Sequence, residues 1–152
     1  MKKNSVPLSE LRIIGGQWRG RKLRFAAVEG VRPTGDRIRE TLFNWLMFDI
    51  EDTRCLDLFA GSGALGFEAA SRGAREVVLI DRHPKVVEQL NENAKLLNFG
   101  GFEIEKTDAE HFLGSKPPAF DIVFLDPPFA EDKTAYLLDL LEKHDCLADP
   151  AL

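Results

Sequence analysis

Cys55-Leu56-Asp57-Leu58-Phe59-Ala60-Gly61-Ser62-Gly63-Ala64-Leu65-Gly66 constrains this chain more than any other stretch, because an apolar strand there runs straight into a glycine-rich turn and then a helix. Gly61 and Gly63 lack a Cβ, so the backbone can turn tightly and let a ligand come close, while a helix opening at Ala64 aims free N–H groups at the same point. Gly61-Ser62-Gly63-Ala64-Leu65-Gly66 satisfies G-x-G-x-x-G, the dinucleotide fingerprint that seats a pyrophosphate on a helix N-terminus. Asp57 points to a different ligand. An acid at the end of the strand repels a pyrophosphate but can hydrogen-bond the ammonium of S-adenosylmethionine, directly or through water. The plain alternative is a tight strand-to-helix turn that binds nothing.

From residue 54 onward strand and helix patterns alternate. Arg54 to Phe59, Glu76 to Ile80, Phe102 to Glu105 and Phe120 to Leu125 are apolar, partly β-branched runs at βαβ spacing, which predicts an α/β fold with a parallel sheet. Pro84 opens the helix between the second and third runs, with Val87, Leu90, Ala94 and Leu97 on one face, and Asn98-Phe99-Gly100-Gly101 ends it. Right-handed crossovers gather the carboxyl ends of parallel strands on one edge, where ligands bind. Acids stand at that edge. Asp81, 24 residues beyond Asp57, can accept both hydroxyls of a ribose, and Asp108 can take the exocyclic amine of an adenine; each is also an ordinary helix-cap position.

Asp126-Pro127-Pro128-Phe129, directly after Ile122-Val123-Phe124-Leu125, is the sharpest of these strand ends. Consecutive prolines end the ladder and stiffen the turn. The Asp126 carboxylate and the Pro127 carbonyl are then two acceptors able to grip a planar –NH₂, and Phe129 can stack on the base that carries it. The four residues are the expected catalytic set. His83, His111 and His144 adjoin none of these motifs and receive no catalytic role.

Charge is distributed unevenly. Residues 1–40 hold ten basic and four acidic residues, +6, whereas the remainder holds ten basic and twenty-one acidic, −11, within a net charge of −5. Such asymmetry predicts an arm that meets a polyanion, against the alternative of a solvated tail. Leu11-Arg12-Ile13-Ile14-Gly15-Gly16 and Gln17-Trp18-Arg19-Gly20-Arg21-Lys22-Leu23-Arg24-Phe25 read as two strands around a glycine turn, with cations interleaved with Trp18 to suit an RNA backbone and an unstacked base. Thr34 or Asp36 is the candidate cap of the next helix, whose Ile38, Leu42, Trp45 and Leu46 form a core-facing stripe, leaving Arg37, Thr41 and Asn44 available. Two cysteines, Cys55 and Cys146, exclude a disulfide framework and a C-x-x-C metal site. No run approaches the length of a membrane span and no apolar segment follows the N-terminal lysines, so a soluble cytoplasmic protein without metal is expected.

Arg12-Ile13-Ile14-Gly15-Gly16-Gln17-Trp18-Arg19-Gly20-Arg21-Lys22, Arg32-Pro33-Thr34-Gly35-Asp36-Arg37-Ile38-Arg39-Glu40-Thr41-Leu42-Phe43-Asn44-Trp45-Leu46 and Asp57 to Gly66 together resemble the RsmD family of class I S-adenosylmethionine-dependent methyltransferases. The resemblance implies methyl transfer to N2 of one guanine in 16S ribosomal RNA, with a Rossmann-like sheet extended by an N-terminal hairpin and helix. It runs from about Leu11, and Gly35 departs from the hydroxyl residue expected there. On this reading S-adenosylmethionine is held by Asp57, Phe59, Ala60, Gly61, Ser62, Gly63, Asp81, Arg82, Asp108 and Ala109. RNA meets Arg12, Arg19, Arg21, Lys22, Arg24, Arg32 and Arg37. Residues 1–33 form the RNA-contacting arm and 34–152 the cofactor-binding domain, and the partner is 16S ribosomal RNA within an assembling small subunit.

The helix from Lys133 to Lys143, with Leu137, Leu138, Leu140 and Leu141, is followed by the end of the chain where a fifth strand of the family's sheet is expected. The C-terminal strands of that fold are therefore expected to be missing, through truncation or because the chain is a fragment. Its fourth strand then becomes an exposed apolar edge, a route to self-association for an otherwise monomeric protein. Two other functions remain open at this point: a non-catalytic RNA-binding module, and a nicotinamide oxidoreductase using the literal glycine fingerprint.

Overall fold

The computed structural model describes residues 8–26, 34–126, 133–149 and 151–152. Strands β1 (Leu8–Arg12) and β2 (Lys22–Ala26) pair antiparallel as a hairpin, and helix α1 (Asp36–Trp45) follows. Then β3 (Arg54–Asp57), α2 (Ala64–Ser71), β4 (Glu76–Asp81), α3 (Pro84–Leu97), β5 (Phe102–Lys106), α4 (Ala109–Gly114), β6 (Ile122–Phe124) and α5 (Thr134–Lys143) complete the alternation. The four expected strands of the main sheet are present, whereas the hairpin strands are shifted outward from the expected Leu11–Gly16 and Gln17–Phe25 runs, since residues 13–21 form the connection between β1 and β2. β6 is shorter than its apolar run, and Phe120 makes only an isolated bridge to Leu147. The main sheet is parallel in the order β5-β4-β3-β6, so the chain steps outward from β3 through β4 to β5 and then crosses to the other side of β3. This reversal makes a switch point between β3 and β6, where the carboxyl ends splay to leave a crevice.

Side chains alternate across the sheet and so divide the core in two. Cys55 of β3 with Val77 and Leu79 of β4 joins a cluster with Phe67 and Ala70 of α2, Leu90 of α3 and Phe43 of α1. Leu56, Leu58, Val78 and Ile80 face the opposite layer, with Phe112 and Leu113 of α4 and Leu137 and Leu141 of α5. The hairpin's Leu11, Ile13, Leu23 and Phe25 belong to the first cluster, so the hairpin is packed onto the body rather than trailing from it.

Helix α3 begins as expected, with Pro84 in the first turn and Asn98 left-handed at the C-cap (φ 51°). His83 supplies the N-cap, its Nδ1 accepting the Lys85 N–H at 3.1 Å. Its deepest face is Val86, Leu90, Asn93 and Leu97, one step round from the expected one, since Asn93 turns inward to donate to the Arg24 carbonyl of the hairpin at 2.6 Å.

Helix α1 corrects two expectations. Gly35 is its N-cap, without a side-chain cap, so neither Thr34 nor Asp36 performs that task. Its buried residues are Arg39 and Phe43, whereas Ile38 and Trp45 are 64% and 75% exposed. Leu42 and Leu46 pack only partly against the core. The helix is rolled away from its most apolar stripe, with Arg39 turned inward to pair with the buried Glu68 at 3.3 Å while Ile38 and Trp45 face outward.

The outer edge of β6 is not left bare. Phe120 N–H donates to the Cys146 carbonyl at 2.8 Å, Ala148 N–H to Phe120 at 2.8 Å, Leu152 N–H to Asp121 at 2.7 Å and Val123 N–H to Leu152 at 2.9 Å. The expected exposed edge is thus partly covered by the chain's own last residues. Among the described residues, no helix is long and apolar enough to cross a membrane.

Candidate active site

At the carboxyl end of β3 the backbone turns through Gly61 (φ 53°) and Gly63 (φ 85°), left-handed angles that favour glycine. A Cβ on Gly63 would lie 2.3 Å from the Phe67 ring, and one on Gly66 would lie 2.7 Å from Leu79, so the fingerprint also lets α2 press closely onto the sheet. Ser62 Oγ accepts the Ala64 N–H at 3.2 Å and Ala60 N–H donates to Ile80 at 2.9 Å, which ties the turn to β4.

Each strand-end acid has a defined place on this edge of the sheet. Asp81 Oδ2 accepts the Gly61 N–H and Oδ1 the His83 N–H, both at 3.0 Å, so one carboxylate locks the glycine turn to the start of α3. Carboxylate oxygens carry further lone pairs, so this clamp fixes the side chain and still leaves capacity for a ligand's hydroxyls. Asp57 is buried and accepts the Gly66 N–H at 3.0 Å. Burial pushes its carboxyl from the usual 3.8 up to about 7, with the nearby Asp126 and Asp81 adding repulsion and Gly66 pulling the other way. Asp108 caps α4, accepting the His111 N–H at 2.7 Å. Asp126 is exposed and lies 3.5 Å from the Thr34 hydroxyl, which donates to its Oδ2.

Among the remaining expected cofactor residues, Ala60, Ser62 and Ala109 are buried and Phe59 is partly buried against the second core, while Arg82 is exposed. Pro127, Pro128 and Phe129 lie outside the described residues, as does Arg32. Arg12, Arg19, Arg21, Lys22, Arg24 and Arg37 are all exposed. Trp18 is placed differently from its expected role beside them. Its ring is half-buried, with centroids 5.6 Å from Phe99 and 6.1 Å from Phe102, so it packs partly against the first core.

Sequence reasoning passed over the group that holds the arm in place. Glu68 Oε1 accepts from the Ile14 N–H at 3.0 Å, and Oε2 from the Gly15 N–H at 2.9 Å and Arg72 Nε at 2.8 Å. Ser71 Oγ donates to the Gly15 carbonyl at 2.6 Å and accepts the Trp18 N–H at 3.0 Å. The signal was present: Glu68 is the one charge in Ala64-Leu65-Gly66-Phe67-Glu68-Ala69-Ala70-Ser71, a wholly buried helix.

A sheet edge carrying four acids beside a glycine-containing turn at a parallel-sheet switch point can hold a small ligand by its hydroxyls and amines. No group of three or more His, Cys, Asp or Glu among the described residues could hold a metal ion. The fold is that of the class I methyltransferases: a solved structure, the "putative methyltransferase yhhF" of Escherichia coli, superposes with a TM-score of 0.84 at 47% identity, covering 93% of this chain and 76% of that one. Residues 11–152 match the family model described as "Conserved hypothetical protein 95". The chain belongs to this family, the RsmD family. It is 48% identical to the "Ribosomal RNA small subunit methyltransferase D" of E. coli strain K12, over 99% of this chain and 76% of the relative. A Haemophilus influenzae protein of the same description is 45% identical, over 100% of this chain and 82% of its own length.

Proposed function

We propose that the protein transfers a methyl group from S-adenosylmethionine to the exocyclic N2 of a guanine in 16S ribosomal RNA, in the cytoplasm. The observation that carries the reading is that Asp57, Asp81, Asp108 and Asp126 stand at or just beyond the carboxyl ends of the parallel strands β3, β4, β5 and β6, on the edge where the chain turns through Gly61 and Gly63. The ribosomal substrate rests on the descriptions of the family's relatives.

The residues fit this cofactor. Asp81 is clamped by two backbone N–H groups and offers its remaining lone pairs to the ribose hydroxyls. Asp57, a buried acid beside the same turn, suits an ammonium, directly or through water, and Asp108 suits the adenine amine at the mouth of α4. Phe59, Ala60, Ser62, Arg82 and Ala109 complete the proposed cofactor contacts. When bound, S-adenosylmethionine supplies a methyl group already activated by its sulfonium.

The protein's own task is then alignment and control of one proton. The lone pair of guanine N2 is delocalised into the ring, and acceptors at Asp126 and the Pro127 carbonyl favour a more tetrahedral nitrogen aimed in line with the methyl–sulfur bond. Asp126 also accepts or passes on the proton that the amine loses. Pro128 stiffens the turn and Phe129 stacks on the base. Arg12, Arg19, Arg21, Lys22, Arg24, Arg32 and Arg37 hold the RNA backbone, so residues 1–33 serve the RNA and 34–152 the chemistry, within an assembling small subunit and with the protein as a monomer.

Calorimetry tests the cofactor assignment. S-adenosylhomocysteine should bind with one-to-one stoichiometry and NAD should not. Asp81→Ala should weaken that binding by roughly 1.5–3 kcal/mol, the usual worth of hydrogen bonds to a charged group. Binding of NAD alone, or an unchanged affinity in the variant, would contradict the reading.

A further inference from the structure

Arg39 and Glu68 are 1% and 0% exposed, yet the chemistry proposed above uses neither. Arg39 is engaged on every side. Its Nη1 donates to the Arg12 carbonyl at 2.9 Å and to Glu68 Oε1 at 3.3 Å, its Nη2 to Asp36 Oδ1 at 2.6 Å, and its Nε to the Thr34 carbonyl at 3.1 Å. One guanidinium thus joins the hairpin, the first turn of α1 and the helix that follows the glycine turn.

Thr34 is the end of this chain of contacts that reaches the site. A threonine just before a helix ordinarily spends its hydroxyl on capping. Here Gly35 is the cap residue and no side chain caps α1, so the Thr34 hydroxyl is left to donate to Asp126 Oδ2 at 3.5 Å. An exposed carboxylate on a chain leaving the sheet samples several rotamers, and a fixed donor selects one of them. Such contacts are often long before the substrate is bound and tighten with it.

We propose that Thr34, its backbone pinned by Arg39, is a positioning residue for Asp126, so that the ion pair seating the basic hairpin also sets the acceptor for the target amine. The inference rests on the assignment of Asp126 to the amine. Because Arg39 holds the Arg12 carbonyl and the Thr34 carbonyl at once, docking of the RNA-contacting hairpin and alignment of the carboxylate form one mechanical unit.

Single-turnover methyl transfer to small-subunit ribosomal RNA, with cofactor saturating, separates the possibilities. Thr34→Val keeps the shape of the side chain and removes its hydroxyl; it should lower the rate by roughly tenfold, the worth of one hydrogen bond to a charged group. Affinities for S-adenosylhomocysteine and for RNA should stay at parent values, and Thr34→Ser should retain most of the rate. In an Asp126→Ala background Thr34→Val should cost nothing further. A parent rate in Thr34→Val, an equal loss in Thr34→Ser, or an undiminished loss in the Asp126→Ala background would each overturn the inference while leaving the role of Asp126 intact. A parent rate in Asp126→Ala itself would overturn both.

Discussion

At the scale of single residues, Asp57 gives the protein a pH dependence. Its folded pKa of about 7 stands above the usual 3.8, so the folded state keeps a proton that the unfolded chain has released. Stability from this group is therefore complete below about pH 4 and is lost as the pH rises to about 7, beyond which the loss is constant. Asp57→Asn keeps a carbonyl to accept the Gly66 N–H and never ionises. Its melting temperature should gain on the parent steadily between pH 4 and 7 and hold that lead above, as thermal unfolding across a pH series would record; a pH-independent difference would contradict the assignment. The position of Asp57 at a strand end before a glycine turn was legible in the sequence. Its burial was not, because that depends on Gly66 letting α2 settle so close that a backbone N–H reaches the carboxylate.

At the scale of elements, the junction between the hairpin and α2 organises the molecule. Gly16 sits with φ 80° against Ser71, where a Cβ would meet the Ser71 carbonyl oxygen, and Glu68 satisfies two backbone N–H groups and two arginines nearby. Removing one side of a buried ion pair leaves its partner's charge uncompensated, so Glu68→Ala should destabilise the fold by about 3–5 kcal/mol in urea unfolding. Glu68→Gln keeps an acceptor and should cost less; equal losses would mean that the charge plays no part. The existence and order of the strands and helices could be read from periodicity and glycine placement. The roll of α1 could not, because periodicity counts apolar positions and carries no signal for a charged residue such as Arg39 that is buried against a distant partner, here Glu68, while Ile38 and Trp45 face outward. The packing of Trp18 was not legible either, because Phe99 and Phe102, which meet its ring, are distant in sequence.

At the scale of the whole molecule, residues 1–40, which include the hairpin, carry a net charge of +6 against −11 in the remainder. Arg19, Arg21 and Lys22 are exposed on a hairpin that is fixed in place, so their charge is presented from a firm base. Reversing all three to Glu should weaken binding of ribosomal RNA and flatten the dependence of that binding on salt, since fewer counterions are released, while cofactor affinity stays at the parent value. An unchanged affinity and salt slope would remove the hairpin from the RNA interface. The central claim joins this hairpin, the acid-lined glycine turn and the Asp126 strand end into one reaction, and its most direct test is chemical. Small-subunit ribosomal RNA from cells lacking the gene should be incubated with the protein and S-adenosylmethionine, digested to nucleosides and mapped by mass. The account predicts a single new N2-methylguanosine at one position, absent when Asp126→Ala is used; RNA that gains no methyl group, or gains one on another base or another atom of guanine, would contradict it.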